Sequence, residues 1–287
     1  MTGSYAYPEV VVTTQWVSEH VDDPGVVLVE VDTDPEAGYN QGHVPGAIVW
    51  ALHTDLEDQV RRDLPGLAQI EGLLGRSGIN NQTTIALYGD GNNRSATWAF
   101  WVLKYYRHED VLIMNGGRSK WTDEGRPLST DIPLPALKRY KASTPDRSIR
   151  AIKDYILSNL GNQRVKLLDT RTHEEYSGLL TSAPGTHQTD VYRKGRIPGA
   201  VNIPWDDGVA DDGTFKTEEE MRRLFSDKGL DPDQEVISYC RLGIRASYSW
   251  FVLKYLLGYS RVRNYDGSWT EWGNVTGVPI ETDTLVN

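Results

Sequence analysis

Short apolar runs rich in β-branched residues recur along the chain: Val27–Asp32, Thr84–Tyr88, Val165–Asp169 and Glu235–Tyr239. Between them lie longer apolar stretches, Trp98–Leu103 and Ala246 to Leu257, which suit largely buried helices. Short runs alternating with helical patterns predict an α/β fold, each domain a parallel sheet flanked by helices. At Thr217-Glu218-Glu219-Glu220 a threonine precedes an acid by three residues, a pairing that satisfies two free N–H groups at a helix start. A helix is therefore predicted to open there, run through Leu224 and stop near Gly229.

The pattern occurs twice. Val27-Leu28-Val29-Glu30-Val31-Asp32 leads to Tyr39 and then Gly42-His43-Val44-Pro45-Gly46-Ala47. Val165-Lys166-Leu167-Leu168-Asp169 leads to Tyr176 and then Gly195-Arg196-Ile197-Pro198-Gly199-Ala200. Each copy goes on to a strand, a short loop ending in arginine (Arg94 or Arg245), an apolar helix and a turn. The turns, Asn115-Gly116 and Asp266-Gly267, are each followed by a tryptophan, Trp121 or Trp272. Self-similarity of this extent predicts two homologous domains, and 287 residues is a length that two domains fill. The second copy has extra residues between Ser177 and Lys194, rich in Gly, Thr and Ser, expected to form a surface loop. Residues 130–150 hold Pro133, Pro135 and Pro145 with little periodicity, so a linker is expected there, between domains at 1–129 and 151–287.

Composition narrows the chemistry. A formal net charge of -10 disfavours nucleic acid and anionic membranes as partners, and no apolar run is long enough to span a bilayer. The segment from Met1 to Val10 lacks a basic flank before an apolar stretch, so a cytoplasmic protein is expected. Any anion would have to be held by local basic groups or backbone amides. The six histidines, His43, His53 and His108 among them, are not spaced like metal ligands, and no metal or other cofactor is expected. Trp269 and Trp272 are expected to pack in a core or between the domains.

Cys240 is the single cysteine, which excludes an internal disulfide and a resolving thiol. It begins the loop Cys240-Arg241-Leu242-Gly243-Ile244-Arg245, between a predicted strand and a predicted helix. That is the carboxyl edge of a parallel sheet, where ligands of such folds bind. Converging loop amides, the helix N-terminus, Arg241 and Arg245 all favour negative charge, so a nucleophilic thiolate is expected. Arg245, at the loop's end, is placed to reach back to carbonyls or a carboxylate. Only four residues separate Cys240 from Arg245, one fewer than in the analogous loop of cysteine phosphatases. The tighter ring suits one sulfur atom better than a tetrahedral oxyanion.

With that loop, Leu168-Asp169-Thr170-Arg171, Gly195–Ala200 and Asn264-Tyr265-Asp266-Gly267-Ser268-Trp269, the sequence resembles the rhodanese family, specifically its tandem-domain thiosulfate sulfurtransferases. The resemblance covers nearly the whole chain. It implies that Cys240 takes the outer sulfur of thiosulfate as a persulfide, releases sulfite, and passes the sulfur to cyanide, a small thiol or a protein acceptor. It also implies that Arg241, Leu242, Gly243, Ile244 and Arg245 form the active-site loop. The first copy has Gly89 where the second has Cys240, followed by Asp90-Gly91-Asn92-Asn93, which implies a non-catalytic scaffold domain. Mercaptopyruvate sulfurtransferases typically begin this loop Cys-Gly, so Arg241 points to thiosulfate; the alternatives are a mercaptopyruvate enzyme and a non-enzymatic persulfide carrier. Where vertebrate-type members have further basic residues, this chain has Leu242 and Glu175. Arg171 and Arg196 are candidates for the substrate rim, and Arg171 is equally a candidate for an ion pair with Asp169.

Overall fold

The computed structural model describes residues 5–89, 91–183 and 191–283. Much of the expected surface loop, at 184–190, and Asp90 lie outside the described residues. The chain forms two compact units, each discontinuous in sequence. An N-terminal unit comprises Glu9–Asp146 with Ala210–Phe215; a C-terminal unit comprises the residues up to Pro8, Arg147–Val209 and the chain from Lys216 onward.

In the N-terminal unit the elements run β1 (Val11–Val12), α1 (Thr14–His20), β2 (Val26–Asp32), β3 (Ile48–Ala51), α2 (Leu52–Asp55), α3 (Leu67–Arg76), β4 (Thr84–Tyr88), α4 (Arg94–Tyr105), β5 (Val111–Met114) and α5 (Gly117–Asp123). The sheet order is β1-β5-β4-β2-β3, with every pairing parallel. The inner strands β2 and β4 are mostly apolar because helices cover both faces of a parallel sheet. Residues 130–146 contain no helix or strand, yet they are held to this unit: Lys138 donates its N–H to Gly75 O, Asp146 to Tyr105 O, and buried His108 meets the Tyr140 hydroxyl at 3.1 Å.

In the C-terminal unit α6 (Lys153–Asn159), β6 (Val165–Asp169), α7 (His173–Ser177), β7 (Val201–Asn202), α8 (Glu218–Ser226), β8 (Glu235–Tyr239), α9 (Ile244–Phe251), β9 (Val262–Asn264) and α10 (Ser268–Trp272) follow one another. The sheet order is β7-β6-β8-β9, again all parallel. Arg150 bridges Asn264 in parallel, the place β1 takes beside β5 in the other unit. Thr217 caps α8 reciprocally with Glu220, and the helix extends to Ser226 before Gly229 turns the chain with φ +74°. The helix expected from Ala246 to Leu257 begins at Ile244 and passes at Val252–Leu256 into a π-helical turn. Trp269 and Trp272 lie in the core with Tyr239, Ile237 and Tyr265.

The two units repeat their tertiary hydrogen bonds. Tyr39 donates its hydroxyl to Ala47 O at 2.6 Å, and Tyr176 to Ala200 O at 2.8 Å. The N–H of Val44 reaches the Tyr88 hydroxyl, and that of Ile197 the Tyr239 hydroxyl. The indole N–H of Trp121 meets Pro127 O, and that of Trp272 meets Pro279 O. A buried aromatic with a polar tip needs a partner, and both units supply it from the same place.

Candidate functional site

Strand β8 is an inner strand, and Cys240 follows its last residue at the carboxyl edge of the sheet. Cys240 is 1% exposed and Arg241 is also buried, whereas Leu242, Ile244 and Arg245 are half-buried. Gly243 adopts φ +87°, a conformation that side chains disfavour. Its N–H meets Cys240 Sγ at 3.1 Å. The sulfur thus sits in a ring closed by a backbone donor.

The rest of the loop is held from the segment that follows β9. Cys240 donates its N–H to Ser268 Oγ at 3.0 Å, and that hydroxyl donates to Tyr265 O at 2.6 Å. Ser268 is fully buried with φ +51°, uncommon for a residue with a side chain. The N–H of Trp269 meets Cys240 O at 2.9 Å. Arg241 O accepts both the N–H and the hydroxyl of Thr270, at 3.0 and 2.7 Å. Gly243 O accepts the Ser247 N–H at 2.9 Å, opening α9, and the Asn264 side-chain amide at 3.2 Å.

Arg245 turns back from α9 to the carboxylate of Glu175, with two hydrogen bonds of 2.7 and 2.9 Å. Glu175 has no exposed side-chain surface and also closes the capping box of α7 with Thr172. Burial pushes its carboxyl up, but the hydrogen bonds and charge of Arg245 outweigh this, and it is held below the usual carboxylate range. Conversely, burial works to lower the Arg245 guanidinium, while Glu175 and the Cys240 sulfur raise it, with a net rise. A bidentate, charge-assisted pair of this kind fixes the first turn of α9.

Arg171 pairs with Asp169 at 2.6 Å, both side chains fully buried, and its guanidinium lies over the Trp269 ring at 4.5 Å. It also donates to Gly195 O. Arg196 stacks on Tyr176 and pairs with Asp283 at 2.8 Å. Arg171 is thus in a buried ion pair, and Arg196 in one with a half-exposed carboxylate. The loop residues from Cys240 to Arg245 come together, as adjacency in sequence requires.

A model of the rhodanese-like domain matches the chain twice, over residues 13–124 and 153–274. The chain belongs to the rhodanese family. It is 50% identical over 279 residues to the sulfur carrier protein TtuD of Thermus thermophilus, covering 96% of this chain and 98% of that one. It is 45% identical to a protein of Saccharopolyspora erythraea provisionally named as a thiosulfate sulfurtransferase, covering 95% and 96%. Among solved structures, the anaerobic ergothioneine biosynthesis enzyme of Chlorobium limicola, in complex with trimethyl histidine, superposes with a TM-score of 0.86 at 25% identity. That match spans 96% of this chain and 71% of the other. A structure of EanB with a persulfide on one of its cysteines matches with a TM-score of 0.85, also at 25% identity, over 98% of this chain and 72% of that one.

The rhodanese loop has an empty counterpart in the N-terminal unit. Gly89 follows β4 as Cys240 follows β8, and its N–H is taken by Asn93 Oδ1 at 3.1 Å. A Cβ at Gly89 would lie 2.6 Å from Val31 O. Counting from the first residues of α4 and α9, Arg94 is matched by Ile244, and Arg245 by Ser95, so the two loop arginines are not true counterparts. Sequence reading singled out neither Asn264 nor Thr270 as a loop support, and it noted Glu175 only for not being basic. The available signal was the repeat itself: Asn264 stands where the first copy has Ile113.

Proposed function

We propose that the protein is a sulfurtransferase that carries sulfane sulfur as a persulfide on Cys240, with thiosulfate as donor. The single observation behind this is the Gly243 N–H on Cys240 Sγ, in a ring whose other peptides are tied to Ser268, Trp269, Thr270 and Asn264. The Cys240 thiolate attacks the outer sulfur of thiosulfate. The S–S bond of the donor breaks, its electron pair leaves with sulfite, and a persulfide remains on Cys240. A nucleophilic acceptor, cyanide or a thiol, then takes the outer sulfur, and the electron pair returns to Cys240. No external oxidant or reductant enters. The fixed amide donor stabilises negative charge on sulfur in both steps without reorganising.

The C-terminal unit is catalytic in this reading, and the N-terminal unit, with Gly89 in place of the thiol, is not. Arg241 supplies local positive charge for a dianionic donor on a chain of net charge -10. Arg245 braces the loop through Glu175. The naming of the Saccharopolyspora relative and the persulfide-bearing EanB structure support the donor and the intermediate respectively. The name of the Thermus relative, a sulfur carrier, favours a protein among the acceptors. A thiol that must stay reduced between turnovers suits the cytoplasm.

Intact-mass measurement after incubation with thiosulfate should show one added sulfur, lost on treatment with cyanide and absent in Cys240→Ser. An unchanged mass in the wild type would overturn the persulfide mechanism. Faster turnover with 3-mercaptopyruvate than with thiosulfate would overturn the choice of donor. A loaded protein that no small acceptor discharges would make it a carrier rather than a small-molecule enzyme.

A further inference from the structure

Asn264 is the last residue of β9, fully buried, and its ladder position beside Ser238 corresponds to that of Ile113 beside Leu87 in the other unit. An apolar residue therefore serves this place in the sheet. An amide is the poorer choice for stability, because a buried polar group costs about 1–3 kcal/mol unless it is hydrogen-bonded. Here only half of it is satisfied: Nδ2 donates to Gly243 O, while Oδ1 has no hydrogen-bond partner among the described residues. The orientation follows from the partner, since a carbonyl can only accept. A residue that departs from the sheet's preference at one end of a loop, and whose one bond goes to that loop, is explained by what the loop must do.

We infer that Asn264 is a positioning residue for the Cys240 ring: by holding the Gly243 carbonyl it fixes the one peptide junction in the loop that glycine leaves free. Gly243 holds φ +87° between the peptide whose N–H meets Sγ and the carbonyl that opens α9, and glycine has more backbone freedom than any other residue. The first α9 hydrogen bond, from the Ser247 N–H, holds the same carbonyl from the helix side. Asn264 holds it from the sheet, so the junction is clamped between α9 and β9. The N-terminal unit has no sulfur to aim at, and there Ile113 suffices. This inference rests on the proposed persulfide chemistry, but it is tested separately from it.

The test compares Asn264→Leu and Asn264→Ala with wild type in three readouts: alkylation of the single thiol by iodoacetamide at pH 7, kcat and KM with thiosulfate and cyanide, and thermal melting. Alkylation should slow about fivefold or more and kcat should fall about 10- to 100-fold, with KM for thiosulfate within about twofold, because misplacement of roughly 1 Å costs up to about 100-fold in rate. Alkylation and kcat within twofold of wild type would reduce Asn264 to packing, whatever happens to melting. Should neither variant fold, the Asn264 side-chain amide resonances of the wild type decide: they should shift when Cys240 is loaded with sulfur, and unshifted resonances would overturn the inference. Failure of the wild type to take up sulfur would defeat the persulfide reading, while the alkylation comparison would still judge Asn264.

Discussion

In the N-terminal unit a buried carboxylate of β2, Glu30, is met by Arg118 from α5, and Arg118 also donates to Gly42 O. In the C-terminal unit the corresponding carboxylate, Asp169, is met by Arg171 from its own strand end, and Arg171 donates to Gly195 O. The β2–β4 and β6–β8 ladders align Glu30 with Asp169 and Asp32 with Arg171, and counting on from the β4–β5 and β8–β9 ladders Arg118 corresponds to Trp269. The guanidinium has thus moved from one element to another, keeping the same two acceptors. Its new position frees the α10 site for Trp269, on which Arg171 stacks and whose N–H holds Cys240 O. A buried carboxylate must have its cation, because an uncompensated charge in the interior is costly, but the fold does not dictate which element supplies it.

This exchange lies beside the loop that carries Cys240. The tyrosine-to-alanine and tryptophan-to-proline bonds are the same in both. Gly117 stands where Ser268 holds the Cys240 N–H, and a Cβ there would lie 2.5 Å from Gly89 O. The first copy has closed over the space that holds the Cys240 side chain in the second.

The largest effect should come from removing either guanidinium. Arg171→Ala and Arg118→Ala should each destabilise their unit by about 3–5 kcal/mol, since each strands a buried carboxylate. Urea unfolding measures this, and a near-neutral Arg118 variant would break the equivalence. A smaller loss, about 1.5–3 kcal/mol at pH 7, should follow Glu175→Gln, which has no strict counterpart in the N-terminal unit because Ser95 faces the place of Arg245. Its pH dependence has a definite sign. The carboxyl is held below its ordinary value of 4.5, so its contribution is complete above that pH and fades as pH falls through the lower folded value. The melting difference between wild type and variant should therefore narrow in acid; a difference that widens would refute the pairing. The smallest effect is an expected zero. Gly89→Cys in the Cys240→Ser background should gain no sulfur from thiosulfate by intact mass, because the carbonyl of Val31 and the Asn93 side chain occupy the ring that a sulfur needs.

Much of this was legible in the order of residues. The doubled apolar pattern predicts two parallel α/β sheets, since strand and helix periodicities are local properties. The capping box at Thr217 and Glu220 likewise needs only neighbours. The loop from Cys240 to Arg245 is contiguous, so its place between β8 and α9 follows from the pattern around it. Other relations have no local trace. Arg245 and Glu175 are 70 residues apart, and nothing in either segment announces the other. Residues 210–215 group with the N-terminal unit although they lie within the second copy of the repeat.

The sequence by itself determined the repeat, the α/β class and the single thiol just after a strand, because each depends on periodicity or on adjacency along the chain. Only the tertiary structure decided which side chains answer that loop: Ser268 at the Cys240 N–H, Asn264 at the Gly243 carbonyl, Glu175 at Arg245, and Arg171 rather than an α10 arginine at Asp169. Those choices are made by distance in space. A buried donor, acceptor or charge must be answered by whatever group the packing brings within reach, and chain separation does not limit that reach.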